Sequence, residues 1–82
     1  MNIKYFSWLK NITNTDEEII NDSDIKDIKS LKIFLKKKYP KLKKYLDKKQ
    51  LIRYAINYEY VLKNKKLNSK DEIAIFPPVS GG

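Results

Sequence analysis

The sequence ends in two glycines, Gly81 and Gly82, and the terminal carboxylate of Gly82 is a candidate reactive group. Because neither glycine has a side chain, such a terminus can pass down a narrow channel into the active site of another protein. Pro77 and Pro78 fix φ and favour an extended chain ahead of the glycines. Residues 77–82 reach roughly 20 Å when extended, so we expect them to form a tail that enters a partner's site while the domain stays outside.

The residue types that most small enzymes use for chemistry are missing. The chain has no cysteine and no histidine, which excludes disulfides, thiolate nucleophiles, thiolate metal sites and an imidazole base. The acidic pairs Glu17–Glu18 and Asp71–Glu72 have no partner spacing that suggests metal binding or acid–base catalysis. We therefore expect that the chain is not an enzyme on its own and binds neither a metal nor a cofactor.

The chain is strongly basic, with a formal net charge of +8 and 18 Lys and Arg residues, of which only Arg53 is arginine. Such a charge indicates a nucleic acid or an acidic partner. Nucleic-acid sites favour Arg, however, and a composition rich in Lys, Asn, Ile and Tyr is typical of an A- and T-rich genome. We expect no nucleic-acid function, with a small basic nucleic-acid-binding domain as the alternative from another class. The Lys-rich segment 36–49 is interpreted as a solvated face, or else as a surface that attracts an acidic partner.

The length of 82 residues predicts one domain. No apolar run approaches the roughly 20 residues that span a bilayer, and the first residues lack the apolar block of a signal peptide. The expected location is cytoplasmic, without a membrane partner.

The pattern of the first half predicts strands over residues 3–9 and 17–21, joined by a turn over 11–16. Asp27 is the predicted N-cap of a helix that buries one apolar face and ends before Pro40, with one further helical turn over 42–46. Apolar residues on the helical face are Ile28, Leu31, Phe34 and Leu35.

The second half predicts strands over 51–56, 59–62 and 72–76, with a tight turn at Asn57-Tyr58 and a polar loop over 64–71. This order predicts an α+β fold, with one main helix packed on one face of a mixed sheet. The arrangement is the β-grasp of ubiquitin-like domains. The predicted domain covers residues 1–76, followed by an extended tail over 77–82.

The last twelve residues read Asp-Glu-Ile-Ala-Ile-Phe-Pro-Pro-Val-Ser-Gly-Gly and closely resemble the end of the small subunits of molybdopterin synthase, a ubiquitin-like family of sulfur carriers. Upstream, Ala55-Ile56-Asn57 resembles the family's Ala-Val-Asn, and Leu67 resembles the Leu of its Pro-Leu pair. The family usually has Gly where this chain has Lys70, a position remote from the tail.

The resemblance implies that an adenylyltransferase similar to ubiquitin-activating enzymes uses ATP to adenylate Gly82. A sulfur donor protein then converts the adenylate to a terminal thiocarboxylate. The large subunit of molybdopterin synthase would accept the tail, and the sulfur would pass to cyclic pyranopterin monophosphate. The family assembly implied is a heterotetramer of two small and two large subunits.

The resemblance also implies which residues meet the large subunit. The tail residues Gly81, Ser80, Val79, Pro78 and Pro77 would lie in or near its active site. Phe76, Trp8 and Tyr60 would form the docking surface, because aromatic residues are favoured at interface centres.

Core packing is the alternative for Phe76 and Trp8. Alternatives for the whole chain are a β-grasp carrier of another sulfur pathway, such as thiazole synthesis or tRNA thiolation, and a protein modifier attached through Gly82.

Overall fold

The computed structural model describes residues 1–48 and 51–78. In these residues the chain forms five strands, three α-helices and one 3-10 helix. The elements are β1 (Asn2–Tyr5), α1 (Leu9–Thr13), β2 (Glu17–Ile19), α2 (Ile28–Lys38), the 3-10 helix Pro40–Leu42, α3 (Lys43–Leu46), β3 (Arg53–Ile56), β4 (Glu59–Val61) and β5 (Glu72–Phe76).

The five described strands form one sheet in the order β2-β1-β5-β3-β4. β1 and β5 pair in parallel, and the other neighbours pair antiparallel. The sheet is therefore mixed, with two hairpins joined through the central strand β5. This arrangement confirms the predicted α+β class and β-grasp order.

Helix α2 begins where the sequence predicted. The Asp27 side chain accepts a hydrogen bond from the Ser30 amide at 2.8 Å, and the Ser30 hydroxyl accepts from the Asp27 amide at 3.0 Å. This reciprocal pair satisfies amides that the first turn of a helix would otherwise leave unpaired. The side-chain hydrogen bond from Ser30, with a second from Asn64, lowers the pKa of Asp27 to about 2. The helix ends at Lys38, two residues before Pro40.

One face of the sheet is buried against α2, and the other face is open. Along β1, β3 and β5, buried residues alternate with partly exposed ones, as expected when successive side chains point to opposite faces of a strand. The buried face and the helix together form one core. Its central residues are Ile3, Tyr5, Ile28, Leu31, Leu35, Tyr54, Ile56, Ile73 and Ile75.

The strand predicted over residues 3–9 is wrong beyond Tyr5, and the turn predicted from residue 11 is partly helix. Ser7 has φ of 60°, which ends the strand and turns the chain into α1. Leu9 and Thr13 are both buried on one side of this short helix, and the Thr13 hydroxyl donates to the Leu9 carbonyl at 3.3 Å. Asn14 ends the helix in the left-handed region with φ of 61°.

The other predicted bounds differ by one or two residues. β2 ends at Ile19 rather than residue 21, β3 begins at Arg53 rather than 51, and β4 ends at Val61 rather than 62. The predicted bounds of β5, 72–76, are confirmed. The tight turn is confirmed too, because Ile56 and Glu59 form the last pair of the hairpin.

The turn residues Asn57 and Tyr58 have φ of 50° and 70°, the left-handed conformations of a type I′ turn. The side chain of Asn57 forms hydrogen bonds that offset the cost of this left-handed conformation. Its Nδ2 donates to Asp71 at 2.9 Å, and its Oδ1 accepts from the Glu72 amide at 3.0 Å. The turn is thus fixed to the start of β5.

Candidate functional site

The open face of the sheet carries most of the exposed large apolar side chains of the described chain. Four of them lie on this side or at its edges: Phe6 at 46% exposed, Ile19 at 75%, Tyr58 at 87% and Tyr60 at 67%. The opposite face of the same sheet is covered by α2. An uncovered apolar sheet face of this kind is typical of a surface that another protein covers.

Phe76 and Tyr60 lie together on this face. Phe76 is the last residue of β5 and is half-buried, while Tyr60 projects from β4. Their ring centroids are 5.5 Å apart and the ring planes meet at 76°, an edge-to-face contact that aromatic pairs favour. The register explains the approach, because Ala55 pairs with both Tyr60 and Ala74 and its methyl group leaves room between the two rings.

Trp8 lies on the other side of Phe76, just after β1. Its ring packs at 4.7 Å from that of Tyr45, so the residue is half-buried against α3. The remaining ring surface faces a shallow groove of about 660 Å³, which we call the tail groove. Its walls are Phe6, Ser7, Trp8, Ala74, Phe76, Pro77 and Pro78. The structure therefore brings Trp8, Phe76 and the root of the tail to one site, and Tyr60 to its border.

The tail leaves the domain from the central strand. β5 is paired on both sides, and its side chains Ile73 and Ile75 are at most 1% exposed. The Phe6 amide donates to the Ile75 carbonyl at 3.1 Å, which extends the β1–β5 pairing to the edge of the tail groove. Pro77 is half-buried and Pro78 is exposed. The predicted tail residues Val79, Ser80, Gly81 and Gly82 lie outside the described residues.

Phe6 was missed as a site residue by sequence reasoning. The predicted strand ran on to residue 9, so Phe6 was treated as one more alternating strand position. One structural relationship accounts for it. Tyr5 and Ile75 pair in the parallel register, so the next residues, Phe6 and Phe76, meet at the same end of the sheet. No pattern in the sequence contains this register.

The open face also carries charge. Lys4 forms an ion pair with Glu72 at 3.3 Å, and this hydrogen-bonded contact raises the pKa of Lys4. Lys4 pairs with Ala74 and Arg53 pairs with Phe76, so two basic residues border the tail groove. The groove itself is lined by apolar side chains apart from Ser7, which suits a desolvated protein contact.

A second polar cluster lies at the end of α2 and has a structural role. Glu18 accepts hydrogen bonds from Tyr5 at 2.7 Å and from Tyr39 and Lys38, which ties β2 to the helix. Burial raises the pKa of Glu18, but these three hydrogen bonds outweigh it and hold the pKa below its ordinary value. Burial and then Glu18 raise the pKa of Tyr39 to about 12 and also raise that of Tyr5.

Two further features bear on possible function. Within residues 1–48 and 51–78, no group of three or more acidic side chains is placed to hold a metal ion. No helix in the same residues is long and apolar enough to cross a membrane.

The fold and this surface define a ubiquitin-like carrier domain, and the chain belongs to the ThiS family, whose profile matches residues 3–82. The resemblance found at the C-terminus is confirmed. A protein of Dictyostelium discoideum, the molybdopterin synthase sulfur carrier subunit, is 37% identical over 84 residues, which cover 98% of this chain and 93% of that protein.

Solved structures agree with the family. Small archaeal modifier protein 1 of Methanosarcina acetivorans is 30% identical with a TM-score of 0.76, covering 99% of this chain and 94% of that one. A chain in the complex of subunits 1 and 2 of the molybdopterin-converting factor of Helicobacter pylori is 26% identical with a TM-score of 0.68, covering 99% and 96%. The ubiquitin-like β-grasp fold is thus shared with both.

Proposed function

We propose that this chain is the sulfur-carrier subunit of molybdopterin synthase and supplies no catalytic side chain of its own. The likeness to the Dictyostelium sulfur carrier subunit, over 98% of the chain, carries the proposal. The absence of Cys and His from the sequence agrees with it, since a carrier that holds sulfur on its backbone terminus needs neither residue.

The chemistry takes place at the carboxylate of Gly82. A carboxylate is a poor electrophile, so an activating enzyme similar to those of ubiquitin first joins it to the α-phosphate of ATP and releases pyrophosphate. Sulfur delivered by a donor protein at the oxidation level of sulfide then attacks the carbonyl carbon, a carbon–sulfur bond forms, and AMP leaves with the carboxylate oxygen. The product is a thiocarboxylate on Gly82. ATP is bound by the activating enzyme and not by this chain.

The tail that carries the thiocarboxylate then delivers sulfur to cyclic pyranopterin monophosphate in the large subunit. The Helicobacter complex of subunits 1 and 2 supports such a partner. Docking on the open face, around Phe6, Phe76 and Tyr60, places the rigid strand β5 against the partner and directs residues 77–82 into its site. Two transfers give the dithiolene of molybdopterin. The family assembly of two small and two large subunits is the expected stoichiometry.

The test is the intact mass of the chain after co-expression with its activating enzyme and a sulfur source. Replacement of one terminal oxygen by sulfur is expected, and deletion of Gly82 should prevent it. A mass that never changes, with the enzyme active on another carrier, would contradict the thiocarboxylate. Incubation of the thiocarboxylated chain with the large subunit and cyclic pyranopterin monophosphate should then yield molybdopterin. A thiocarboxylated chain that yields no molybdopterin would belong to another sulfur pathway, such as thiazole synthesis or tRNA thiolation.

A protein modifier is the second candidate, because the Methanosarcina structure of the same fold is a small archaeal modifier protein at 30% identity. Such a modifier would be joined through Gly82 to lysine side chains of other proteins. Tryptic digestion of cell extracts would leave a remnant of the tail on target lysines if the modifier function is correct. A carrier restricted to sulfur transfer leaves no such remnant.

A further inference from the structure

A second groove lies on the opposite side of the domain from the tail groove, between α2 and the hairpin of β3 and β4. Its volume is about 500 Å³, and its apolar floor includes Ile28, Ile52 and Val61. None of the residues that line it also lines the tail groove. An occupant of this second groove could therefore bind while the tail is engaged elsewhere.

The rim of this groove is positively charged. Lys29, Lys32, Arg53 and Lys63 all line it, and none of the lining residues is acidic. Since like charges gathered around an apolar floor repel one another unless an anion lies between them, the rim favours an occupant that carries negative charge.

The carboxylate of Asp27 does not neutralise the rim. Asp27 lies just before α2 and accepts hydrogen bonds from Ser30 and from the side chain of Asn64 at 3.0 Å. It is thus held by the helix cap and by the loop after β4. Lys29 adds only a minor attraction to this carboxylate.

Tyr54 supplies a second, independent observation. The residue lines the groove and is only 6% exposed, and its hydroxyl has no hydrogen-bond partner among the described residues. A buried hydroxyl without a partner is costly, and the native chain provides no acceptor for it in residues 1–48 and 51–78. Because this hydroxyl is buried, an occupant of the groove would reach it with an oxygen acceptor only by displacing part of the groove lining.

We propose that this groove, called here the basic groove, binds an extended acidic segment of a partner protein. Aliphatic side chains of the segment fill the floor formed by Ile28, Ile52 and Val61, and its carboxylates lie between Lys29 and Lys63 on the rim. The segment runs beside β4, an edge strand of the described sheet, where an extended peptide has backbone groups to pair with.

A nucleic acid fits the same charge less well. Single-stranded nucleic acids bind through exposed aromatic faces on which bases stack. Tyr54 is the one aromatic residue lining the basic groove, and its buried ring is covered by the amine of Lys32, 5.5 Å from the centroid. The floor is otherwise aliphatic, which suits the side chains of a peptide.

The test is an NMR titration of the full chain with an acetylated heptapeptide, Glu-Asp-Val-Asp-Ile-Glu-Asp. The matched control peptide replaces each acidic residue by its amide, and a short oligothymidylate represents nucleic acid. The acidic peptide should shift the amide signals of Lys29, Val61 and Lys63 and leave those of Phe6 and Phe76 in place. The amide peptide should bind at least about tenfold more weakly.

The charge reversal Lys29→Glu with Lys63→Glu should weaken binding of the acidic peptide by at least about tenfold. The matched pair Lys10→Glu with Lys70→Glu has the same net charge on exposed residues elsewhere and should change it less than about twofold, because distant surface charges are screened. The milder pair Lys29→Gln with Lys63→Gln serves if the reversed chain does not fold.

Three results would overturn the proposal. An equal loss of affinity for the acidic peptide in both charge-reversed variants would show that the peptide is attracted by the net charge alone. Shifts confined to the open face of the sheet would place the peptide in the tail groove. Tighter binding of the oligothymidylate at the amides of Lys29 and Lys63 would make the basic groove a nucleic-acid site. None of these outcomes bears on charging of Gly82, so the sulfur-carrier proposal stands or fails separately.

Discussion

The rings of Tyr60 and Phe76 meet edge to face on the open side of the sheet, with 5.5 Å between the ring centroids. One ring comes from the edge hairpin and the other from the central strand that leads to the tail. The pair therefore links the border of the proposed docking surface to the tail groove. Two large rings held at a fixed angle need little further ordering when a partner covers them, which favours tight association.

Phe76→Ala should weaken binding of this chain to the molybdopterin synthase large subunit by at least about tenfold, equal to about 1.4 kcal/mol. The physical reason is loss of an aromatic anchor that is already half-buried beside Trp8 and Pro77. Isothermal titration calorimetry with the purified large subunit measures it. Ile33→Ala is the control, since Ile33 is 51% exposed on α2, which covers the opposite face of the sheet. Equal affinities of the two variants would remove the tail groove from the interface.

Gly81→Val should reduce the rate of adenylation and thiocarboxylation by about 100-fold or more, because small displacements of a reacting group have effects of that size. The valine side chain would obstruct the channel through which the terminus reaches the activating enzyme. Intact mass at timed intervals measures the rate, and thermal unfolding should be unchanged. Lys70→Ala, in the exposed loop before β5, is the control for a change remote from the terminus. Normal charging of the valine variant would argue against channel access.

Two buried tyrosines should respond in opposite directions when their hydroxyls are removed. Tyr54→Phe should raise the free energy of unfolding by about 1 kcal/mol, because its buried hydroxyl has no partner in the described residues. Tyr5→Phe should lower it by about 2 kcal/mol, because that hydroxyl donates to the Glu18 carboxylate at 2.7 Å. Urea unfolding of both variants measures the two differences. A loss of stability in Tyr54→Phe would mean that its hydroxyl has an acceptor.

Asn57→Ala should lower the free energy of unfolding by about 1.5 kcal/mol. The variant loses the hydrogen bonds to Asp71 and from the Glu72 amide, each worth about 1 kcal/mol or less, and Ala is less suited than Asn to φ of 50°. Chemical denaturation measures the change. In Asn68→Ala, the control, the backbone amide can still donate to Asp71, so a change below about 0.5 kcal/mol is expected.

Asp27→Asn should make the free energy of unfolding less dependent on pH in the acid range. The pKa of Asp27 falls from the ordinary 3.8 to about 2 in the folded chain, so the stabilisation by its charge is present above pH 3.8 and is lost as pH falls through 2. Asn still caps a helix. Urea unfolding between pH 5 and 2, values that bracket this window, should show the two chains converging at low pH.

The control for this pH dependence is Asp24→Asn, a change at an exposed carboxylate a few residues earlier. The free energy of unfolding of this variant should fall with decreasing pH as it does in the unchanged chain. Parallel curves for the unchanged chain and Asp27→Asn over the whole range would contradict the role given to the Asp27 charge.

The parts of the fold that the sequence predicted well have strong local signals. Asp27 with Ser30, the apolar spacing of α2 and the alternation of β5 each fix an element without help from distant residues. Helix α1 was missed because its five residues include only Leu9, Ile12 and Thr13 as a buried or half-buried side. Their spacing is helical, but the segment is short and its Asn and Thr residues were interpreted as turn chemistry, while the turn at Ser7 was not predicted.

The candidate site was only partly predictable for a related reason. Phe76, Trp8 and Tyr60 were identified by resemblance, and the family match extends to Gly82. The place of Phe6 depends on the register between β1 and β5, which are distant in sequence, and no local pattern contains that register. The basic groove is also non-local, since it combines Lys29 of α2 with Lys63 after β4.

The parallel pairing of β1 with β5 has a mechanical consequence. A partner that draws the tail out of its own site pulls along β5, in line with the strands β1 and β3 that are hydrogen-bonded to its two sides. In that direction the backbone hydrogen bonds of both ladders are loaded together, rather than opened one after another from an end. The domain is therefore expected to resist tension on its terminus during repeated insertion and withdrawal of the tail. The strand that leads into the tail is also the one that holds it to the domain.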